Sequence, residues 1–410
     1  MLNIVKNTWA LFFGFSLICL GHGLQGTLLG IRSKVEGFSL GSIGFIITGY
    51  FVGYLIGSLL IPLLLKRVGH IRVFAALASI ASVAILIHSL FINVQIWFLI
   101  RIITGICFAG FFIITESWLN DKSENKTRGK ILSIYLIITF LFTGLGNFLL
   151  NLSDPKNYDL FILISILLSM ALIPILLSIS SAPEFIHPKR ITIKELYQLS
   201  PLGLVSGLLI GLAHSSVFGY GAVYAISKNL STINISIFMF IISFFGALFQ
   251  WPIGYISDKI DRRILLIIVN ILAAILSLMI IGFSYISIII FYIILACYSG
   301  MCLPMYSLAI AHINDFLNKN EIVSVASSFA LVVGIGAIFG PIFSSFFMEY
   351  IGPDGFFVHL FLIHIILSIF GIYRLSQRDK PKIESQYVPL PRNITPAGME
   401  MNPKIDLDKN

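Results

Sequence analysis

The chain has 410 residues, of which 57% are hydrophobic and only 11% charged, with a formal net charge of +8. A soluble domain carries about a quarter charged residues to cover its surface, so this composition excludes an ordinary water-soluble fold and requires lipid as solvent. Four cysteines show no disulfide or metal spacing, and no G-x-x-x-x-G-K-[ST] loop is present, which disfavours an ATP-driven pump in one chain.

A membrane-crossing helix needs about 20 consecutive apolar residues. In chain order, residues 7–31, 37–65 and 73–100 contain no Asp, Glu, Lys or Arg. The next apolar run, 96–119, is interrupted only by Arg101 and Glu116, and 131–153 and 160–183 are again uncharged. Residues 201–227, 229–257, 322–348 and 355–373 follow the same pattern. The uncharged run 264–314 is too long for one crossing and is expected to break near Gly282 to Ser284, which brings the count to twelve. These runs are apolar all round and about twice the length of a barrel strand, so helices are predicted. The first run is too long for a signal peptide and lacks a cleavage site. Cys19, Cys107, Cys297 and Cys302 lie inside predicted spans and read as small apolar packing residues.

The basic residues sort by loop. With the N-terminus taken as inside, 22 of the 27 Lys and Arg fall in inner segments. Outer segments hold four (Arg32, Lys34, Lys156 and Lys228), and Arg101 lies within a span. This positive-inside bias places both termini in the cytoplasm. It assigns the basic excess to topology rather than to nucleic acid.

Two halves are also legible. Six spans, a longer loop at 181–200 and six more spans give expected units of 1–180, 181–200, 201–375 and 376–410. The second is read as a cytoplasmic linker with an interfacial helix in ITIKELYQLS, the last as a disordered cytoplasmic tail rich in Pro, Lys and Asn. KRVGHIR (66–72) and DKIDRR (258–263) stand 192 residues apart, as do His22 and His214, while Asn120-Asp121 and Asn314-Asp315 stand 194 apart. Such duplication around a midplane site is common in secondary transporters. Gly49, Gly53 and Gly57, and Gly334, Gly336 and Gly340, follow the small-residue spacing that lets helices approach closely.

The segment Gly254-Tyr-Ile-Ser-Asp258-Lys259-Ile-Asp261-Arg262-Arg263 resembles the G-x-x-x-D-[RK]-x-G-[RK]-[RK] loop of the major facilitator superfamily, with Asp261 where Gly is usual. Gly69-His-Ile-Arg72, Glu116-Ser-Trp-Leu-Asn120 and Gln250-Trp-Pro-Ile-Gly-Tyr-Ile-Ser-Asp258 are similar to its YcaD-like bacterial group. The resemblance implies an all-α membrane fold of twelve helices in two pseudo-symmetric six-helix bundles. It also implies a charged cytoplasmic gate, and Arg67, Gly69, Arg72, Glu116, Arg128, Gly254, Asp258, Lys259, Arg262 and Arg263 are expected to form it. Asp258 is expected against the start of the fifth span near Arg128, although Lys66 replaces the matching carboxylate in the first half.

Arg101 is the one cation deep in a span, at a cost of about 2.5–3.5 kcal/mol on insertion scales, so a partner or wet cavity is expected. Glu116 lies about 22 Å from it along the same helix at 1.5 Å per residue. A gate ion pair of Glu116 with Arg67 or Arg72 is therefore expected. Arg101, His22, Gln25 and His214 are the candidate solute and proton contacts, with Asn147, Tyr224, Gln250 and Tyr298 as further cavity polars. The expected function is secondary active transport of a small organic solute across a bacterial inner membrane by alternating access, with proton coupling open. The lipid bilayer is the other partner, and no nucleic acid, cofactor, metal site, enzymatic activity or oligomer beyond a monomer is expected. A transport-inactive sensor or scaffold of the same fold is the alternative.

Overall fold

The computed structural model describes residues 2–123, 127–177, 191–284, 286–317, 321–377, 387–391, 394–399 and 401, with side chains from Thr8 onward. Twelve helices within it are long and apolar enough to cross a membrane. Spans 1 to 6 are Thr8–Val35, Leu40–Val68, His70–Leu90, Val94–Asp121, Arg128–Leu152 and Asp159–Leu176. Spans 7 to 12 are Pro201–Ser227, Thr232–Ser257, Arg262–Phe283, Ile288–Asn314, Ile322–Ile351 and Gly355–Leu375. The long run 264–314 divides where expected, because Ser287 caps span 10 by accepting a hydrogen bond from the Ile289 N–H. Asn93 caps span 4 in the same way, through Gln95 and Ile96. Span 1 runs past its apolar stretch to Val35, since Arg32 bonds to Glu36 at 2.5 Å and to the Pro155 carbonyl at 3.1 Å.

Large apolar side chains point outward all around the bundle, among them Phe13, Leu59, Ile137, Leu248, Ile293 and Ile369. Such a surface belongs in hydrocarbon, where helices satisfy their own backbone groups. Inside, glycines set the helix spacing. A Cβ at Gly53 would overlap the Ile102 carbonyl and one at Gly105 the Tyr50 carbonyl, so the backbones of spans 2 and 4 touch.

Spans 1–6 pack into one bundle and spans 7–12 into another, and span 2 meets span 11, span 5 meets span 8 and span 1 meets span 7 across the divide. The loops at 66–72 and 258–263 mark one end of the molecule, the basic end. At the opposite end the halves are closed on each other. The Tyr220 hydroxyl donates to the Leu40 carbonyl at 2.7 Å, Ser236 to the Asn147 carbonyl at 2.8 Å, and the Asn151 amide to the Ser236 hydroxyl at 2.9 Å. Gly44 is so close to span 11 that a Cβ there would lie 2.6 Å from the Ser345 hydroxyl oxygen.

The linker helix is Ile193–Leu199, fixed by a capping box between Thr192 and Glu195. Residues 178–190 of that linker, with Pro183, His187 and Pro188, lie outside the described residues. The tail departs from expectation. Residues 378–386 and 402–410 lie outside the described residues. Tyr387, Leu390, Ile394, Thr395, Met399 and Met401, however, are all buried against the bundles at the basic end. Composition suggested a segment too polar to bury, but the described part carries its own apolar anchors.

Candidate functional site

A cavity of about 90 Å³ lies between the halves, lined by His22 of span 1, Tyr50, Tyr54 and Ser58 of span 2, His214 and Ser215 of span 7, Ser327 and Gly334 of span 11, and Ile394 and Thr395 of the tail. Tyr50, Tyr54 and Ser58 recur every four residues, which puts them on one face of a helix. The two histidines that stand 192 residues apart in sequence face the same space from opposite halves. Span 7 loosens just beyond His214 into a π-helical turn at Ser216–Tyr220, a distortion frequent at functional sites. His214 Nε2 is held 3.0 Å from the Cys302 carbonyl.

Arg101 does not line the cavity but stands behind it. Its guanidinium carbon lies 4.5 Å from the centroid of the Tyr50 ring, and the His22 and Tyr50 rings are 5.6 Å apart. A desolvated cation–π contact contributes about 2 kcal/mol, which offsets most of the burial cost expected of a charge at this depth. The guanidinium thereby places positive charge against the cavity wall without filling it. Gln25, one turn along span 1 from His22, is buried with both side-chain polar atoms unpartnered among the described residues. Buried amides are nearly always paired, so Gln25, which does not line the cavity in this conformation, keeps hydrogen-bonding capacity one turn from His22.

The remaining predicted cavity polars lie elsewhere. Asn147 sits on the closed interface, where its Oδ1 accepts from the Thr27 hydroxyl. Tyr224 lines a separate pocket with Lys228 and Pro353 at the closed end. The Tyr298 hydroxyl is 3.2 Å from His364 Nε2 inside the second bundle, and Gln250 accepts from the Tyr387 hydroxyl of the tail. All four are polar residues in apolar spans, and sequence gave no way to tell which helix face looks inward. Tyr50, Tyr54, Ser58 and Ser327 are not among the sequence candidates, although the four-residue spacing on span 2 is a usable signal.

Polar and charged residues at the basic end form two clusters, one per half. In the second, Arg262 is 1% exposed and bonds to Asp315 at 2.5 Å, Asp258 at 2.9 Å, the Ala311 carbonyl at 2.9 Å and Ser257 at 3.2 Å. Arg263 pairs with Asp261 at 2.7 Å, so the carboxylate that replaces the motif glycine has its own partner. In the first half His70, 192 residues before Arg262, lies 3.0 Å from the Ser117 hydroxyl, and Asp121 acts on it electrostatically. Ser117 and Asp121 stand 194 residues before Ala311 and Asp315. The segments Gly69–Arg72 and Glu116–Asn120 thus meet through His70, in a pseudo-symmetric copy of the arginine cluster. Gly69 makes the connecting turn at φ 89°.

Two gate expectations are corrected by this geometry. Arg67 and Arg72 are exposed, and Glu116 bonds instead to the Tyr135 hydroxyl at 2.5 Å and to the Thr395 N–H at 2.8 Å. Those two arginines lie at the facing ends of spans 2 and 3, on either side of Gly69, and project to the surface. Asp258 faces Arg262 and accepts from the Tyr387 N–H at 2.7 Å, rather than facing the start of span 5. Arg128 is itself buried at the N-terminus of span 5, and Lys259 lies over the Tyr255 ring.

Known proteins bear on this arrangement. The family model described as Major Facilitator Superfamily matches residues 11–329 and 235–398. The uncharacterized MFS-type transporter YcaD of Escherichia fergusonii is 24% identical over 367 residues, covering 89% of this chain and 93% of that protein. Its namesake in Shigella flexneri serotype 5b is 22% identical over 383 residues, covering 93% and 99%. Among solved structures, the nucleoside transporter NupG superposes with a TM-score of 0.72 at 15% identity, covering 89% of this chain and 98% of that one. A bacterial homologue of the human lysosomal transporter Spinster, in an inward-facing and occupied conformation, also gives 0.72 at 15% identity, covering 93% and 98%. Twelve spans in two bundles, the Gly254–Arg263 loop and a family match across nearly the whole chain lead to one conclusion: this is a transporter-type membrane protein of the Major Facilitator Superfamily.

Proposed function

We propose that the chain moves a small polar or anionic organic solute across a bacterial inner membrane by alternating access, with no cofactor and no enzymatic step. The basic end is cytoplasmic under the positive-inside rule, so the described conformation is closed to the outside. The observation that carries the reading is the central cavity. It takes one histidine from the same position in each half and a tyrosine backed by Arg101. Cationic and hydrogen-bonding groups around an otherwise apolar space orient a ligand that carries negative charge or several acceptors. Gln25 supplies a donor and an acceptor to that ligand. In the opposite state the cytoplasmic ends draw together and Asp258 turns toward the start of span 5. An imidazole can take up or release a proton, so proton coupling is tested together with transport.

The test begins with a thermal-shift screen of the purified protein against metabolite panels, followed by uptake of each hit into proteoliposomes with and without a pH gradient. Saturable uptake that falls at least about tenfold in His22→Leu, Gln25→Leu and His214→Leu, a loss of about 1.4 kcal/mol or more each, is expected. Stabilising hits that are never transported, with full binding retained in all three variants, would favour the sensor reading instead.

A further inference from the structure

We propose that the described tail residues 387–391, 394–399 and 401 form an autoinhibitory plug, a part of the chain's own C-terminus that occupies the cytoplasmic vestibule and must leave before solute passes. The consequence for transport rests on the function proposed above, whereas the plugging itself is a matter of geometry. The tail reaches both halves. Tyr387 donates through its N–H to Asp258 and through its hydroxyl to Gln250, and the Leu390 N–H donates to Ser307 at 2.9 Å, all in the second half. Thr395 donates through N–H and hydroxyl to Glu116 in the first. The short helical turn Pro396–Met399 packs between spans 4 and 11, one from each half.

The segment is built for burial. Pro389, Pro391 and Pro396 bring no N–H that would need a partner. The Ile394, Met399 and Met401 N–H groups bond within the tail to Pro391, Thr395 and Gly398, and Gly398 bonds to Glu116. Leu390, Ile394, Met399 and Met401 supply the apolar surface, each no more than 3% exposed. The receiving side is equally specific. The Tyr387 ring lies on Gly254, the first residue of the family loop, where a Cβ would overlap it. Two motif positions, Gly254 and Asp258, thus receive the tail.

Cavity size decides what the tail does. Ile394 and Thr395 wall the central cavity, leaving about 90 Å³, room for a few waters at about 30 Å³ each. Small-molecule sites span about 300–1,000 Å³. With the tail in place an organic solute neither fits nor exits on the cytoplasmic side.

The test needs no solute. In a background with the four native cysteines replaced by alanine, Ser58→Cys on the cavity wall is labelled with a charged maleimide in detergent-purified protein. Three chains are compared: full length, a chain ending at Gln386, and full length with Gly254→Ala, which displaces Tyr387 while keeping every tail residue. A plug in place nine-tenths of the time slows labelling about tenfold, because only the open fraction reacts. Labelling about tenfold faster in the truncated chain, and faster in Gly254→Ala, is expected. A synthetic peptide of residues 387–401, added at millimolar concentration to replace the lost tether, should slow it again. If truncation compromises folding, Gly254→Ala decides alone. Rates within twofold of full length in the folded variants would overturn the plug and leave the transport proposal standing.

Discussion

Replacing Arg262 by leucine removes the centre of the second-half cluster. Arg262 and Asp315 are each 1% exposed and meet at 2.5 Å, whereas Asp258 is 37% exposed. The loss therefore falls on Asp315, left as a buried carboxylate without its cation. Breaking one side of a buried pair costs about 3–5 kcal/mol, while losing an exposed pair costs about 0–1 kcal/mol. Arg262→Leu is expected to destabilise by the larger figure, and Asp258→Asn by the smaller. The double variant Arg262→Leu/Asp315→Leu should recover most of the loss, since apolar side chains in place of a buried ion pair are often neutral. Equilibrium unfolding in mixed micelles titrated with sodium dodecyl sulfate reads all three. A single-variant loss below about 1 kcal/mol, or a double variant no more stable than Arg262→Leu, would refute the assignment of the cluster's stability to this pair.

Three further outcomes follow from the same geometry. Gly53→Ala, whose Cβ would overlap the Ile102 carbonyl, should cost about 1–3 kcal/mol as overpacking does, while Gly26→Ala, with nothing within 4 Å, should be silent in the same unfolding assay. Tyr50→Phe keeps the ring under Arg101 and should retain stability, whereas Tyr50→Leu removes it and should lose about 2 kcal/mol; equal losses would remove the cation–π contact from consideration. Burial pulls the Asp261 carboxyl up, but hydrogen bonds and charge from Arg263 outweigh it, so it lies below the ordinary carboxylate range. Its contribution to stability is then present above that range and lost as pH falls through the lowered value. Asp261→Asn should flatten the acid limb of a stability–pH profile, and an unchanged limb would contradict the pairing.

The twelve spans were legible because hydrocarbon imposes one rule on every crossing segment, a long run of apolar residues, and that rule acts locally. The 192-residue offsets were legible for a related reason. A repeated fold needs the same residue types at the same ends, so His22 and His214, and His70 and Arg262, fall at matching places. What stayed hidden was facing. Asn147, Tyr224, Tyr298 and Gln250 look alike in sequence, yet one lies on the closed interface, one in a separate pocket, one inside the second bundle and one under the tail. Proximity along the helix axis suggested an arginine for Glu116, and the packed structure supplied Tyr135 and Thr395 instead.

The tail marks the same boundary. The tail's apolar anchors are local, but its seat is not, because the carboxylates and hydroxyl that satisfy its N–H groups lie between about 80 and 280 residues away in the chain. The amino-acid sequence by itself determined that the chain spans a membrane twelve times, with its charge at one end and its halves related. Only tertiary structure decided which polar groups share a cavity and what closes it, since those depend on helix rotation and on partners that pattern and spacing do not encode.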